Sequence, residues 1–198
     1  AVIGEFICPI LIIIGFKTRL SAIPSAITMA VAVFIAHGAD DFGTKEKALF
    51  QKVAFYRGVE LFSDGNYKLA KDNFENSLTV SLDETITTKA TFWKGESNYR
   101  LNNFKDALSD FNNFLANNQA SNTLEFEHVD YNIAYSYFKQ KEYTNAIDAF
   151  KKYISKNTDD EIRKNDSYLR IADGYFVNSS YSNAINYYNK AIETNGID

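Results

Sequence analysis

Sulfur chemistry is nearly absent from this chain, which has one cysteine, Cys8, and one methionine, Met29, in 198 residues. A lone cysteine makes no intrachain disulfide, so a disulfide-stapled small fold is excluded. Its place inside an apolar run reads as a small buried or lipid-facing side chain. Histidine is as scarce, with His37 and His128 alone, so a His/Cys zinc site and a nucleophile–histidine hydrolytic constellation both lack their parts. No glycine-rich phosphate loop, EF-hand loop or His-Glu-x-x-His pair is present. Two prolines and nine glycines exclude collagen-like and low-complexity chains. Nor is there an excess of positive charge: 21 Lys and Arg stand against 25 Asp and Glu, a net charge of −4. Phosphates call for clustered cations, so no nucleic-acid partner is expected. Carboxylate pairs such as Asp40-Asp41 and Asp159-Asp160 fall in expected loops or at helix starts, where capping explains them. No catalytic residue, metal ligand or cofactor is assigned, and the chain reads as non-enzymatic.

What is present is unevenly spread. Residues 1–37 are almost all apolar or small, while residues 44–198 carry most of the charge. Phe6 to Phe16 and Leu20 to Ala36 are two apolar runs separated by Lys17-Thr18-Arg19, and the second has the length that crosses a bilayer. Together they read as an apolar, transmembrane helical hairpin over residues 1–43. The cationic connection is expected in the cytoplasm, which places the rest of the chain outside it at a bacterial membrane. A second reading takes Lys17 to Arg19 and Leu20 to Ile35 as a secretory signal cleaved near Ala36-His37-Gly38, leaving an exported soluble protein. Gly4-Glu5, an apolar run, Gly15-Phe16-x-Thr18-Arg19-Leu20, a second run and then His37 with Asp40 and Asp41 resemble the middle of DoxX-type membrane proteins. The resemblance covers about residues 1–50 and implies part of a four-helix membrane bundle. One alternative that follows is a DoxX-type membrane subunit with a quinone-linked redox role. Another is an artificial fusion of a DoxX fragment to the remainder. The start at Ala1, with the one methionine at 29, agrees with a fragment or a processed product.

The remainder repeats itself. Four segments, from Ala54, Thr91, Asp130 and Tyr168, share one skeleton. A small residue in a first helix (Gly58, Gly95, Ala134, Ala172) precedes a turn aromatic (Tyr67, Phe104, Tyr143, Tyr181). An alanine in a second helix follows (Ala70, Ala107, Ala146, Ala184), with an aromatic four residues later (Phe74, Phe111, Phe150, Tyr188). The last two share one helix face, and the small residue lets the two helices cross closely. Asp-Gly-Asn, Asn-Asn, Gln-Lys-Glu and Asn-Ser-Ser stretches supply the breaks. These units resemble tetratricopeptide repeats, with longer connections at Ala116 to Thr123 and Asn157 to Arg163 and without the usual terminal proline. The fold class expected is all-α: a tetratricopeptide-type α-solenoid of four helix pairs at about 51–84, 88–121, 127–160 and 165–198, preceded by the apolar hairpin.

Stacked pairs form a concave surface lined by the first helices, and such surfaces bind protein partners. Register places Lys52, Phe55, Tyr56, Lys89, Phe92, Trp93, Glu96, His128, Tyr131, Asn132, Tyr135 and Arg170 in that groove, with Val59, Asp166, Leu169 and Asp173 beside them. Trp93, Tyr131 and Tyr135 belong to the residue types that dominate binding hot spots. Phe55 and Val59 stand where a carboxylate clamp of this repeat class would need Lys and Asn, which disfavours a chaperone-tail ligand. The function expected is a protein–protein interaction scaffold that holds a peptide or protein partner at the bacterial envelope. Membrane attachment falls to residues 1–37, and self-association is expected through the uncapped C-terminal repeat.

Overall fold

The computed structural model describes residues 43–156 and 159–194, which form helices and contain no strand. The helices are α1 Thr44–Ser63, α2 Tyr67–Leu78, α3 Glu84–Arg100, α4 Phe104–Ala116, α5 Val129–Lys139, α6 Tyr143–Ser155, α7 Glu161–Val177 and α8 Tyr181–Thr194. Two 3-10 turns, Ala120–Asn122 and Leu124–Glu127, fill the α4–α5 connection. The apolar hairpin expected over residues 1–43 lies outside the described residues. No helix among those described is long and apolar enough to cross a membrane. Helices α1 and α7 begin ahead of the expected repeat starts near 51 and 165.

Each pair is closed by the same turn. Gly65, Asn102, Lys141 and Ser179, each two residues before a turn aromatic, all take positive φ, at 77°, 63°, 64° and 58°. The next amide then reaches back to a carbonyl five residues earlier, as Asn66 N to Leu61 O at 2.8 Å, Asn103 N to Asn98 O at 2.8 Å, Glu142 N to Tyr137 O at 3.0 Å and Ser180 N to Tyr175 O at 2.8 Å. Carbonyls left over at a helix end are satisfied this way while the chain reverses.

Packing follows the repeated skeleton in the first three copies. Phe74, Phe111 and Phe150 are fully buried beside buried Ala70, Ala107 and Ala146. A Cβ at Gly58 would sit 2.6 Å from the Phe74 ring, and one at Gly95 would sit 2.9 Å from Phe111. Absence of a side chain is thus what admits the ring. Three apolar clusters result, centred on Phe55 and Phe74, on Phe92 and Phe111, and on Phe150 and Ile171; Trp93 packs against both of the first two. Helices rest on their sequence neighbours, with lighter contact between α1 and α3, α3 and α5, and α5 and α7. This nearest-neighbour stacking is the organisation of a solenoid. The fourth copy departs from its expected packing role: Tyr181 is exposed, and Tyr188 is half-buried and donates to Asp173 Oδ1 at 2.7 Å. Among the described residues no helix packs on the far side of α8, which buries only Ala184 and Ala191.

Candidate functional site

Three adjoining cavities lie along the first helices. The first, about 560 Å³, opens between Lys52, Tyr56, Lys89 and Trp93. The second, about 370 Å³, runs from Trp93 and Glu125 to Asn132 and Arg163, and the third, about 320 Å³, is bounded by Glu96, Arg100, Tyr131, Tyr135 and Arg163. Trp93 and Glu125 wall the first two together, and Glu96, Arg100, Asn132 and Arg163 wall the second and third. Shared walls make one trough across α1, α3, α5 and the start of α7.

Its side chains are held before any partner arrives. Asn132 Nδ2 donates to Glu96 Oε1 at 2.6 Å, and Arg100 Nε lies 3.7 Å from Glu96 Oε2. Trp93 Nε1 donates to Glu125 Oε1 at 3.1 Å, fixing the indole against the α4–α5 connection. The Tyr131 hydroxyl donates to Asp166 Oδ2 at 2.9 Å, and that of Tyr135 donates to the same oxygen. The two phenol rings meet edge to face at 4.9 Å between centroids. Arg163, paired with Asp160, lays its guanidinium over the Tyr131 ring at 5.7 Å. Lys52 approaches Asp83 to 3.9 Å at the trough's open end.

Burial sets the electrostatics here. It pushes the Glu96 carboxyl above its ordinary range against the pull of Arg100. Burial also raises the Tyr131 hydroxyl, reinforced by its bond to Asp166, and pushes that of Tyr135 up to about 12 by the same two causes. His128 is lowered by burial and then by Arg163, which keeps its imidazole neutral near pH 7. Among the described residues, no three His, Cys, Asp or Glu side chains are grouped to hold a metal ion.

The trough therefore gathers Lys52, Tyr56, Lys89, Trp93, Glu96, His128, Tyr131, Asn132 and Tyr135 from the groove expected by register. Phe55 and Phe92 also line the first and second cavities, from beneath. They are 5% and 4% exposed, and their rings pack on Phe74 and on Phe111 and Phe114. They form the floor rather than a contact surface, because the closely crossed helices draw the large ring at that position into the core. Arg170 lies beyond these three cavities, bound to Asp166 at 3.3 Å and Asp173 at 2.6 Å. Register alone missed Phe62, Arg100, Glu125 and Arg163. Arg100 had a signal, since it follows Glu96 by one helical turn. Glu125 and Arg163 fall between the expected repeats, and only the folding of those connections brings them to the trough.

Sequence and fold comparisons agree with this architecture. The tetratricopeptide repeat family profile matches residues 129–159, covering α5 and α6, and the DoxX profile matches residues 1–38. No curated protein matches the chain by sequence. Two crystal structures of MamA are similar in fold: one has TM-score 0.65 at 19% identity over 91% of this chain and 93% of that one. The other has TM-score 0.64 at 20% identity over 94% and 90%. MamA from Desulfovibrio magneticus RS-1 superimposes with TM-score 0.63 at 16% identity, covering 89% of this chain and 88% of its own. At these identities the likeness is one of fold, and the fold it shows is a tetratricopeptide-type helical solenoid.

Proposed function

We propose that this chain is a non-enzymatic interaction scaffold whose trough, running from Tyr56 to Tyr135, holds a segment of a partner protein. The observation that carries this reading is the continuity of three cavities through shared walls that are both aromatic and charged, with side chains already tied in place. Preorganised walls spare a partner the cost of ordering them, and Trp, Tyr and Arg are the residues that anchor interfaces. The apolar runs and the DoxX profile match support attachment of residues 1–38 to a bacterial membrane, and the cationic Lys17-Thr18-Arg19 connection is the ground for assigning the repeats to its outer side. Ile185 and Ile192, exposed along α8, support self-association through the last repeat.

Panning a random dodecapeptide library against the full chain tests the trough. Tyr56→Ala and Asn132→Ala, at positions that line it without filling the core, are expected to weaken the selected peptides at least about tenfold while leaving the helical content unchanged. Peptides that bind both variants as tightly as the parent chain would remove the trough from the function. Carbonate extraction of membranes tests the attachment: the full-length species is expected to stay in the pellet.

A further inference from the structure

The middle cavity has a pattern of incomplete hydrogen bonding that points to one kind of occupant. Glu96 and Glu125 each have Oε1 tied, to Asn132 and to Trp93. Each Oε2 is buried and receives no hydrogen bond from the described residues, and the same holds for Nδ1 of His128. All three side chains line the same cavity of about 370 Å³, whose remaining walls include Phe62, Trp93 and Leu124. Phe62 and Trp93 stand edge to face at 5.1 Å, a rigid apolar wall beside the polar end.

Buried acceptors without donors are costly, and the cost is removed by a group that brings donors to them. Three such atoms converge on a space reached along an aromatic and aliphatic wall. The lining itself carries two carboxylates, Glu96 and Glu125, and two guanidinium groups, of which Arg100 is paired with Glu96 and Arg163 is drawn to Asp160 outside the cavity. Glu125 is left without an ion-pair partner among the described residues, and a cation beside it would supply one.

We infer that this cavity seats a lysine side chain of the bound protein segment, its alkyl stem along Phe62, Trp93 and Leu124 and its ammonium among Glu96, Glu125 and His128. An ammonium carries three N–H donors and no acceptor, which suits the Oε2 atoms of Glu96 and Glu125 and, in its Nε2–H tautomer, the Nδ1 of His128. Its four-carbon stem suits an apolar approach to a polar end. Arginine fits less well, because its planar fork is made for paired oxygens of one carboxylate and each carboxylate here has one oxygen already engaged. The inference rests on the proposed trough function and names the chemistry at its centre.

Trp93 is the chain's one tryptophan and a wall of this cavity, so its fluorescence reads occupancy directly. The full chain is titrated at constant ionic strength with Nα-acetyl-lysine amide, with Nα-acetyl-norleucine amide, which has the stem without the ammonium, and with Nα-acetyl-glutamate amide. A saturable change with the lysine compound alone is expected, weakened roughly tenfold by Glu96→Gln and again by Glu125→Gln. The same change is expected to be unaltered by Glu60→Gln on the exposed side of α1. Both glutamines keep the Oε1 acceptor, so a melting temperature no lower than that of the parent chain separates lost affinity from lost fold. Equal response to norleucine, saturation by glutamate, or full binding by both glutamine variants overturns the inference. Library peptides that need Tyr56 and Asn132 but tolerate every lysine-to-norleucine exchange also overturn it, while leaving the trough function standing. A library that yields no trough-dependent peptide ends both.

Discussion

Lys141 occupies a backbone position that its own side chain disfavours. It stands at φ 64°, in the turn place that Gly65 fills in the first repeat, and left-handed backbone crowds the Cβ of any L residue. Lys141→Gly is therefore expected to stabilise the protein by about 1 kcal/mol, measured by urea denaturation. Glu96 carries a different strain, a carboxylate pushed up by burial. Because the folded group binds its proton more tightly than the unfolded one, its contribution is fully present below the ordinary carboxylate value and is lost as pH rises through the raised one. Glu96→Gln removes that loss. The variant is expected to be more stable than the parent at pH 7, with the gap closing as the pH falls towards about 4, in melting curves collected across that range. A site that gains stability when its charge is deleted has the signature of a group kept for binding.

At the scale of helices, one side chain organises the first junction. Gln51 on α1 accepts from Leu82 N at 3.1 Å and Asp83 N at 2.8 Å through Oε1, and its Nε2 donates to Asp83 O at 3.1 Å and Thr87 Oγ1 at 2.9 Å. It thereby fixes where α3 starts, next to the cap that Asp83 gives Ile86 N at 3.2 Å. Gln51→Ala takes the acceptor from two partly buried amide bonds and is expected to cost about 1–2 kcal/mol, read from the shift in the urea midpoint at unchanged slope. The helices themselves were legible in the chain, since the alanine–aromatic pairs fall on the buried faces of α2, α4 and α6 and the break residues fall at the positive-φ turns. The trough was legible in its α3 and α5 residues, whose register follows from the small residue each helix presents to its partner. What escaped the pattern sits where no period operates. The stretch from Asn117 to His128 coils into two 3-10 turns that bury Ala120 and bring Glu125 to Trp93. Arg163 enters the trough because α7 starts at Glu161, capped by Asp160 accepting from Arg163 N at 2.9 Å.

For the whole molecule, the end of the stack matters most. Ile185 and Ile192 repeat the places of Ile147 and Ile154, and of Leu108 and Leu115, which the inner copies press against neighbouring helices. On α8 they are 61% and 50% exposed. If this face joins copies of the chain, Ile185→Lys with Ile192→Lys is expected to abolish concentration-dependent mass in sedimentation equilibrium and leave helicity intact. A parent chain that stays monomeric throughout the range removes self-association from the function. The stacking has a mechanical side as well. With each helix resting mainly on its sequence neighbours, small rotations at the three inter-repeat junctions would add along the stack, as they do in a short coil spring. A guest lying from Tyr56 to Arg163 bridges the first two of those junctions and reaches the third, and so sets the pitch of the coil. Tension applied to such a guest would be shared along the array as a change of curvature, so that the scaffold yields elastically before any single contact gives way.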